Sequence, residues 1–262
     1  MTDDETARLL PGANPKLVLQ TVVRAMRVLE SVGRSGHPLS LAEIAAAVGT
    51  DRSAAQRLAH TLEMMGYLER APGGNGFLPG RQALDRCFSY LRSNPLVERA
   101  TPILIELRKE VKERVDLSLF DGPSIVYAVR MQSKRENFYA TLIGGRLPAF
   151  FTSGGRAMLS LLPDAEVEEI LDQSVLEKYT PRTITDRAVI RERIERARRD
   201  GYALVQEEGL MGEIALGAAI SDAAGRPIAA VHIAGSLSEW GEPDFRDRFA
   251  PLAMEAAAAL SR

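Results

Sequence analysis

Residues 40–68, SLAEIAAAVGTDRSAAQRLAHTLEMMGYL, constrain the fold more than any other segment. Ser40 and Glu43 have the spacing of a capping box, in which each side chain bonds the other residue's free backbone N–H, and this predicts the start of a helix. Gly49 supplies the left-handed end of that helix. Thr50 is predicted to cap a second helix, which ends at Gly66. The buried stripe predicted for this second helix is Ala55, Leu58, Leu62 and Met65.

The flanking segments complete a small domain of three helices and a hairpin. Apolar spacing between Leu17 and Gly33 predicts a first helix, whose buried face is Leu19, Val22, Met26 and Leu29. After the helix pair, YLER and GFLPG surround the turn PGGN, and this pattern predicts a β-hairpin. We therefore predict a winged helix-turn-helix domain over residues 17–80. Residues 1–16 are polar and contain two prolines and a glycine, so they are predicted to form a mobile arm.

The rest of the chain is predicted to form a helical linker over residues 81–101 and a second domain over residues 102–262. Thr101 and Pro102 suit the N-cap and first position of a restarted helix. From Asp116 onward, short β-rich runs alternate with helical patterns; the runs are DLSLF, SIVYAVR, FYATL, YALVQE, EIALGAAI and PIAAVHIAG. The fold class is therefore α+β, with a sheet expected to carry helices on one side.

Composition excludes several classes of function. The chain has 33 Lys plus Arg against 35 Asp plus Glu, so its net charge gives no sign of a nucleic-acid or membrane partner. Cys87 is the only cysteine and the three histidines are far apart, which argues against disulfides, a metal site or any cofactor. The N-terminus is acidic and no apolar run is long enough for a membrane span, so we expect a cytoplasmic protein.

The polar face of the helix predicted between Thr50 and Gly66 suggests a role in reading DNA. This face carries Arg52, Ser53, Gln56, Arg57 and His60. Arginine can bond guanine bidentately, glutamine can bond adenine, and a helix fits the major groove. Any exposed helix face is polar, so the residues alone would not distinguish DNA recognition from a solvated surface. The winged arrangement around them favours DNA recognition.

The sequence as a whole resembles the IclR family of bacterial transcriptional regulators. The likeness is carried, in order, by SLAEIAAAVGTDRSAAQRLAHTLEMMGYLER, GGRLPAFFTSGGRAMLSLLPD, TPRTITD, RARRDGYALVQEE and GRPIAAVHIAG. The resemblance implies a GAF-like mixed α/β effector domain, a double-stranded DNA operator, a small-molecule effector, and a homodimer or dimer of dimers. Two departures are Ala54, where the family usually has threonine, and LGAA at 216–219, which replaces a stretch usually ending in proline.

A candidate effector site lies at the start of the helix that follows TSGGR. Free backbone N–H groups at Gly154 and Gly155 could hold a carboxylate at the positive end of that helix. The glycines could equally serve only a tight turn. The family resemblance favours binding and implies pocket positions at Tyr139, Leu147, Ser153, Gly154, Val205, Glu213 and Ala215. Relatives that sense very small oxo acids carry an acid and a thiol at the positions of Val205 and Ala215, so the resemblance implies a roomier, more apolar pocket for a larger acid such as an aromatic one.

An enzyme with an appended DNA-binding module is the rival class, and no catalytic constellation supports it. Cys87 lies on the predicted linker helix, where a lone cysteine is usually a small buried apolar residue. His232 sits in an alternating strand, as a core or surface histidine. Glu207 and Glu208 are expected on one strand, where neighbours point to opposite faces and cannot act together. An architectural DNA-binder without a ligand is disfavoured by the size of the second domain.

Overall fold

The computed structural model describes residues 14–132 and 143–261. The chain divides into two compact units at the junction between Tyr90 and Leu91. Each unit has its own hydrophobic core. Within the described ranges, no helix is long and apolar enough to cross a membrane.

Three helices form the body of the first unit, after a 3-10 turn at Pro15–Leu17. They are α1 (Gln20–Arg34), α2 (Leu41–Val48) and α3 (Arg52–Met64). The capping box at the start of α2 is confirmed, since Ser40 Oγ accepts from the Glu43 N–H and Glu43 Oε2 accepts from the Ser40 N–H at 2.8 Å. Gly49 ends α2 with φ 65°. The predicted cap of α3 was one residue early, because Asp51 Oδ1, and not Thr50, accepts from the Ala54 N–H.

The predicted buried face of α1 is wrong at three of its four positions, since only Leu29 packs against the core. Leu19, Val22 and Met26 are 72%, 55% and 52% exposed, whereas Val28 and Val32 pack in the core. Apolar residues occur on two faces of α1, and spacing alone does not say which face meets the rest of the same chain. Met65, also predicted as buried, is exposed beyond the end of α3. The first unit therefore has an outward-facing apolar stripe on and just before α1.

The predicted hairpin is present. Strands β1 (Leu68–Arg70) and β2 (Phe77–Pro79) pair antiparallel, and Leu39 makes an isolated bridge to Phe77. Glycines at 73, 74 and 76 take positive φ angles in the turn, a conformation that costs them little. The first unit is thus a winged helix-turn-helix.

Two long helices follow the hairpin, α4 (Gln82–Ser93) and α5 (Pro95–Val111). The predicted restart at Pro102 does not occur, because α5 runs through this proline, and Thr101 Oγ1 donates to the Val97 carbonyl at 2.7 Å. Ala100 and Leu104 are fully buried in the core of the second unit. Much of α5 upstream of Pro102, which lay in the predicted linker, therefore packs as part of that core.

Within the described ranges, the second unit is built on a six-stranded antiparallel sheet in the order β5-β4-β3-β8-β7-β6. The strands are β3 (Arg114–Asp121), β4 (Ser124–Met131), β5 (Arg146–Pro148), β6 (Ala203–Gln206), β7 (Glu213–Ser221) and β8 (Pro227–Ser236). The other helices are α6 (Ser153–Leu159), α7 (Asp164–Gln173), α8 (Arg187–Asp200) and α9 (Glu242–Leu260). The predicted strand FYATL lies outside the described residues.

Helices cover both faces of this sheet, so the expectation of helices on one side was wrong. α5 and α9 pack over one face, which includes Val231 and Ile233. α6, α7 and α8 pack over the other, where Ile125 and Ala230 are buried. Successive residues of a strand point to opposite faces, and β8 is buried along most of its length. A strand buried on both sides has a near-continuous apolar run rather than clean alternation, as AAVHIA does.

Candidate functional site

The outward face of α3 is the candidate nucleic-acid interface of the first unit. Ala55, Ala59 and Leu62 are buried against the neighbouring helices and hold α3 in place. The opposite side presents the five residues predicted to read DNA, and all of them are exposed: Arg52, Ser53, Gln56, Arg57 and His60. Across residues 14–132 and 143–261, no hydrogen bond or ion pair engages these five side chains. Their donors and acceptors are therefore available to bases and phosphates.

A small pocket of about 110 Å³ lies beside the N-terminal end of α6, in the second unit. It brings together five of the effector positions implied by the family resemblance: Leu147, Ser153, Val205, Glu213 and Ala215. These residues come from β5, α6, β6 and β7, which are far apart in sequence. Tyr139 lies outside the described residues. The lining is less apolar than expected, because Arg114, Arg130 and His232 also contribute to it.

Gly154 and Gly155, predicted to anchor a carboxylate through their backbone N–H groups, do not line this pocket. The Gly155 N–H donates to Oγ1 of Thr152, the N-cap of α6. A Cβ at Gly154 would lie 2.3 Å from His232 Cε1, and one at Gly155 would lie 2.2 Å from the Ala149 carbonyl oxygen. The two glycines therefore let a short buried helix approach the sheet closely.

His232 joins α6 to the sheet through a buried polar chain. Its Nε2 lies 2.7 Å from Ser118 Oγ, and its Nδ1 lies 3.2 Å from Ser153 Oγ. Burial, together with the charges of Arg130 and Arg114, lowers the pKa of His232 to about 3. The imidazole is therefore neutral at ordinary pH, with one ring nitrogen donating and the other accepting.

Charged side chains form a buried cluster behind and along the pocket. Arg114 Nε donates to Asp116 Oδ2 at 2.9 Å, and its Nη1 donates to Glu213 Oε2 at 2.6 Å. Burial by itself lowers the pKa of Arg114, but Asp116 and Glu213 raise it overall, so this guanidinium stays charged. Because Glu213 is neutralised by Arg114, it repels an anionic ligand less than a free carboxylate would.

Sequence reasoning missed Arg114, Arg130 and His232 as pocket residues; it left His232 as either a core or a surface histidine, and the structure buries it. A signal was present in the strands. Asp116 and Arg130 interrupt runs that otherwise read as buried, and a charge in such a run needs a partner or a ligand. What the sequence could not supply was the pairing of β3 with β4 and β8, which brings the three elements together.

Glu207 and Glu208 lie beyond the end of β6, not on a strand as expected. Glu207 has a positive φ of 57°. Glu208 is buried and accepts two hydrogen bonds from Arg156, at 2.5 and 2.8 Å. It also accepts from the Ile184 N–H at 3.0 Å. Arg156 therefore holds the carboxylate of Glu208 in a buried ion pair.

A larger, open groove of about 450 Å³ runs along β6 and α8. Its charged residues include ion pairs such as Arg196 with Asp200 at 3.3 Å and Arg182 with Glu207 at 3.7 Å. Paired charges in an open groove are typical of a solvated surface. The smaller pocket beside α6, with its buried polar groups, is the better candidate for ligand binding.

Two family models match the sequence. The IclR helix-turn-helix domain matches residues 21–72, and the model for the bacterial transcriptional regulator IclR C-terminal domain matches residues 88–262. The chain belongs to the IclR family. Members of this family are transcriptional regulators, and this IclR-type chain is accordingly a DNA-binding regulator with a C-terminal effector domain.

Individual relatives cover most of this IclR-type regulator. The Pca regulon regulatory protein of Pseudomonas putida is 27% identical over 243 residues, which are 92% of this chain and 83% of the relative. The crystal structure of the Thermotoga maritima IclR is 26% identical, with a TM-score of 0.67, and covers 92% of this chain and 99% of its own. The inducer binding domain of an Acinetobacter PobR double mutant, in complex with 3-hydroxybenzoic acid, is 28% identical with a TM-score of 0.58. That likeness covers 63% of this chain and 97% of the PobR domain.

Proposed function

We propose that this regulator reads its operator with Arg52, Ser53, Gln56, Arg57 and His60, and that a small organic acid in the pocket beside α6 changes operator binding. The observation that carries the first part is the exposed, unengaged polar face of α3, set on a helix whose other side is buried. Asp51 caps the N-terminal turn of α3, which keeps this face ordered in the absence of DNA.

The nature of the ligand follows from the size and chemistry of the pocket. A cavity of about 110 Å³ is well below the roughly 300–1,000 Å³ typical of drug-sized ligands, which supports a small effector. Arg130 and Ser153 offer hydrogen-bond donors, while Leu147 and Val205 offer apolar walls. This combination suits a small acid with a short apolar or aromatic body. The PobR domain in complex with 3-hydroxybenzoic acid supports the aromatic class.

We also propose that the regulator acts as a homodimer through the apolar stripe of its first unit. The stripe consists of Leu17, Leu19, Val22 and Met26, each more than half exposed. Exposed apolar residues that cluster on one helix face mark an interaction surface. A second copy is the natural partner, because one recognition helix reads few bases and a two-fold pair reads two half-sites.

A purely binding role, without catalysis, agrees with the environment of His232. Both of its ring nitrogens are engaged by serine hydroxyls, and with a pKa of about 3 it is a weak base at neutral pH. A ligand recovered chemically unchanged after incubation with the protein supports sensing. A converted ligand would favour an enzyme.

DNA recognition is tested by gel-shift titration of the Arg57→Ala variant at fixed salt, with an operator fragment from the regulator's own promoter. We expect operator affinity to fall by about 1–3 kcal/mol, the discrimination of one good base contact. Arg34→Ala is the matched control, because it removes the same charge from an exposed position at the end of α1. Equal affinities of both variants and the unmodified protein would contradict the assignment.

The dimer is tested by sedimentation of the full chain at micromolar concentration. Val22→Glu places a charge in the stripe and is expected to shift the protein toward monomer, because burying an unpaired charge in an interface is costly. Asn75→Glu, on the exposed tip of the hairpin, is the control and should leave the dimer intact. A monomeric unmodified protein, both with and without DNA, would refute the dimer.

A further inference from the structure

Arg130 is a buried cation whose hydrogen-bonding capacity is mostly unused. Its side chain is only 5% exposed, and it lines the pocket beside α6. Across the parts of the chain that the structure describes, its Nε and Nη1 have no hydrogen-bond partner. A buried donor without a partner costs free energy, more so when it is charged, and native proteins rarely leave one without a reason.

The neighbouring carboxylate does not remove this deficit. Asp116 is the only acid paired with Arg130 among the described residues, at 3.3 Å from both Nε and Nη2. The nearer and better bond to Asp116 comes from Arg114, at 2.9 Å. Asp116 Oδ1 itself accepts no hydrogen bond. Arg130 therefore interacts only weakly with Asp116, because the carboxylate of Asp116 is already hydrogen-bonded to Arg114.

The orientation of Arg130 is nevertheless fixed. Its guanidinium carbon lies 4.1 Å from the centroid of the Tyr127 ring, a cation–π contact that sets the plane of the fork. A planar fork held in place, with free N–H groups at a pocket wall, matches the geometry of a carboxylate that accepts two parallel hydrogen bonds.

We infer that Arg130 is the residue that recognises the carboxylate of the effector, and that the pocket selects small monocarboxylates. This inference rests on the proposed acid effector and takes the place of the anchor predicted at the backbone N–H groups of Gly154 and Gly155, two residues that do not line the pocket. Ser153, at the same pocket, contributes a hydroxyl beside the buried imidazole of His232.

The selection for a single charge follows from the charges already present. Arg114 and Arg130 are matched in number by Asp116 and Glu213, and burial raises the pKa of Asp116, so the cluster tolerates one added negative charge better than two. One carboxylate adds one negative charge next to the under-used fork and near Glu213, which is partly exposed and screened by water. A dicarboxylate would bring a second uncompensated charge into a region of low dielectric, where such charges are costly. A neutral amide would lose the charge-assisted bonds.

The test uses calorimetric titration of the full-length protein with four probes: acetate, benzoate, benzamide and phthalate. We expect the protein to bind at least one of the two monocarboxylates, and to bind benzamide and phthalate at least about 10-fold more weakly than that acid. In the Arg130→Gln variant, affinity for the acid should fall by at least about 10-fold, because the charge-assisted bonds are lost. Arg226→Gln, which removes a surface arginine paired with Glu166, is the matched control and should bind as the unmodified protein does.

A second measurement separates recognition from a structural role. Arg130→Lys keeps the positive charge beside the buried Asp116 and removes the planar fork, so the melting temperature of the unliganded protein should change little while affinity for the acid falls. A fall of many degrees would show that Arg130 supports the fold and would overturn the inference. Binding of neither monocarboxylate by the unmodified protein would overturn both the acid effector and the role of Arg130. Acid binding that survives in Arg130→Gln would overturn the role of Arg130 alone.

Discussion

Replacing His232 with asparagine should remove a defined part of the pH dependence of stability. In the folded protein burial lowers the pKa of His232 to about 3, whereas in the unfolded chain it is about 6.5. Between these two values the unfolded chain binds one more proton than the native protein does. Stability therefore rises with pH through this window, and it is lost as pH falls from about 6.5 toward about 3.

The magnitude follows from the two pKa values. Lowering the pH from about 7.5 to about 5 should cost the unmodified protein about 2 kcal/mol through this histidine alone. The figure changes little for any native pKa below about 4, because the unfolded chain is then the only state that titrates in this range. His232→Asn removes the titration, although losing the bonds to Ser118 and Ser153 imposes a cost that does not depend on pH.

Trp240 provides the assay, since it is the only tryptophan and packs against Phe245 and Phe249 in the core of the second unit. Urea unfolding followed by its fluorescence gives the free energy of unfolding of that unit at each pH. The gap between the unmodified protein and the variant should narrow by about 2 kcal/mol from pH 7.5 to pH 5. Two parallel pH curves would refute the reasoning, because they would show that His232 has the same pKa in the folded and the unfolded protein.

Two further predictions concern the packing around α6. Gly154→Ala should lower the free energy of unfolding by about 1–3 kcal/mol, because its Cβ would lie 2.3 Å from His232 Cε1 and 2.9 Å from Ala230 Cβ; Gly33→Ala, in α1 with nothing within 4 Å of its Cβ, is the control and should cost nothing. Arg156→Met should destabilise the second unit by about 3–5 kcal/mol, since it leaves the buried Glu208 without its cation. Adding Glu208→Gln should restore part of that loss, and a double variant no more stable than the single one would argue against a buried charge as the cause.

The sequence predicted those elements whose signals are local. The capping box of α2 joins residues three apart, and the hairpin turn is written in consecutive glycines, so neither depends on the rest of the fold. The prediction of the buried face of α1 was mostly wrong, because an apolar residue is equally suited to the core of its own chain and to a partner's surface. The prediction that a helix restarts at Pro102 was wrong, because tertiary packing of α5 outweighed the local tendency of proline to begin a helix.

The residues of the pocket were likewise only partly predictable from the sequence. Family resemblance placed Leu147, Ser153 and Val205 correctly beside one another, but it gave no hint of Arg130. Arg130 reaches the pocket only through the antiparallel pairing of β4 with β3, where it lies directly opposite Asp116. That register includes a β-bulge between Leu117 and Ser118, and the position of a bulge is not readable from the sequence of the hairpin alone.

The tight glycine contacts under α6 decide where this candidate pocket can be redesigned. A Cβ on Gly217 would lie 2.5 Å from the Gly154 backbone nitrogen. The backbones of the helix and the strand are therefore in direct contact, and no space is left for a larger side chain at either glycine. Libraries that aim to turn this regulator into a biosensor for other acids should therefore keep Gly154, Gly155 and Gly217 fixed. Diversity belongs on the strand side, where Leu147 and Val205 can be shortened and Ala215 can be enlarged to reshape the space available to the body of the ligand.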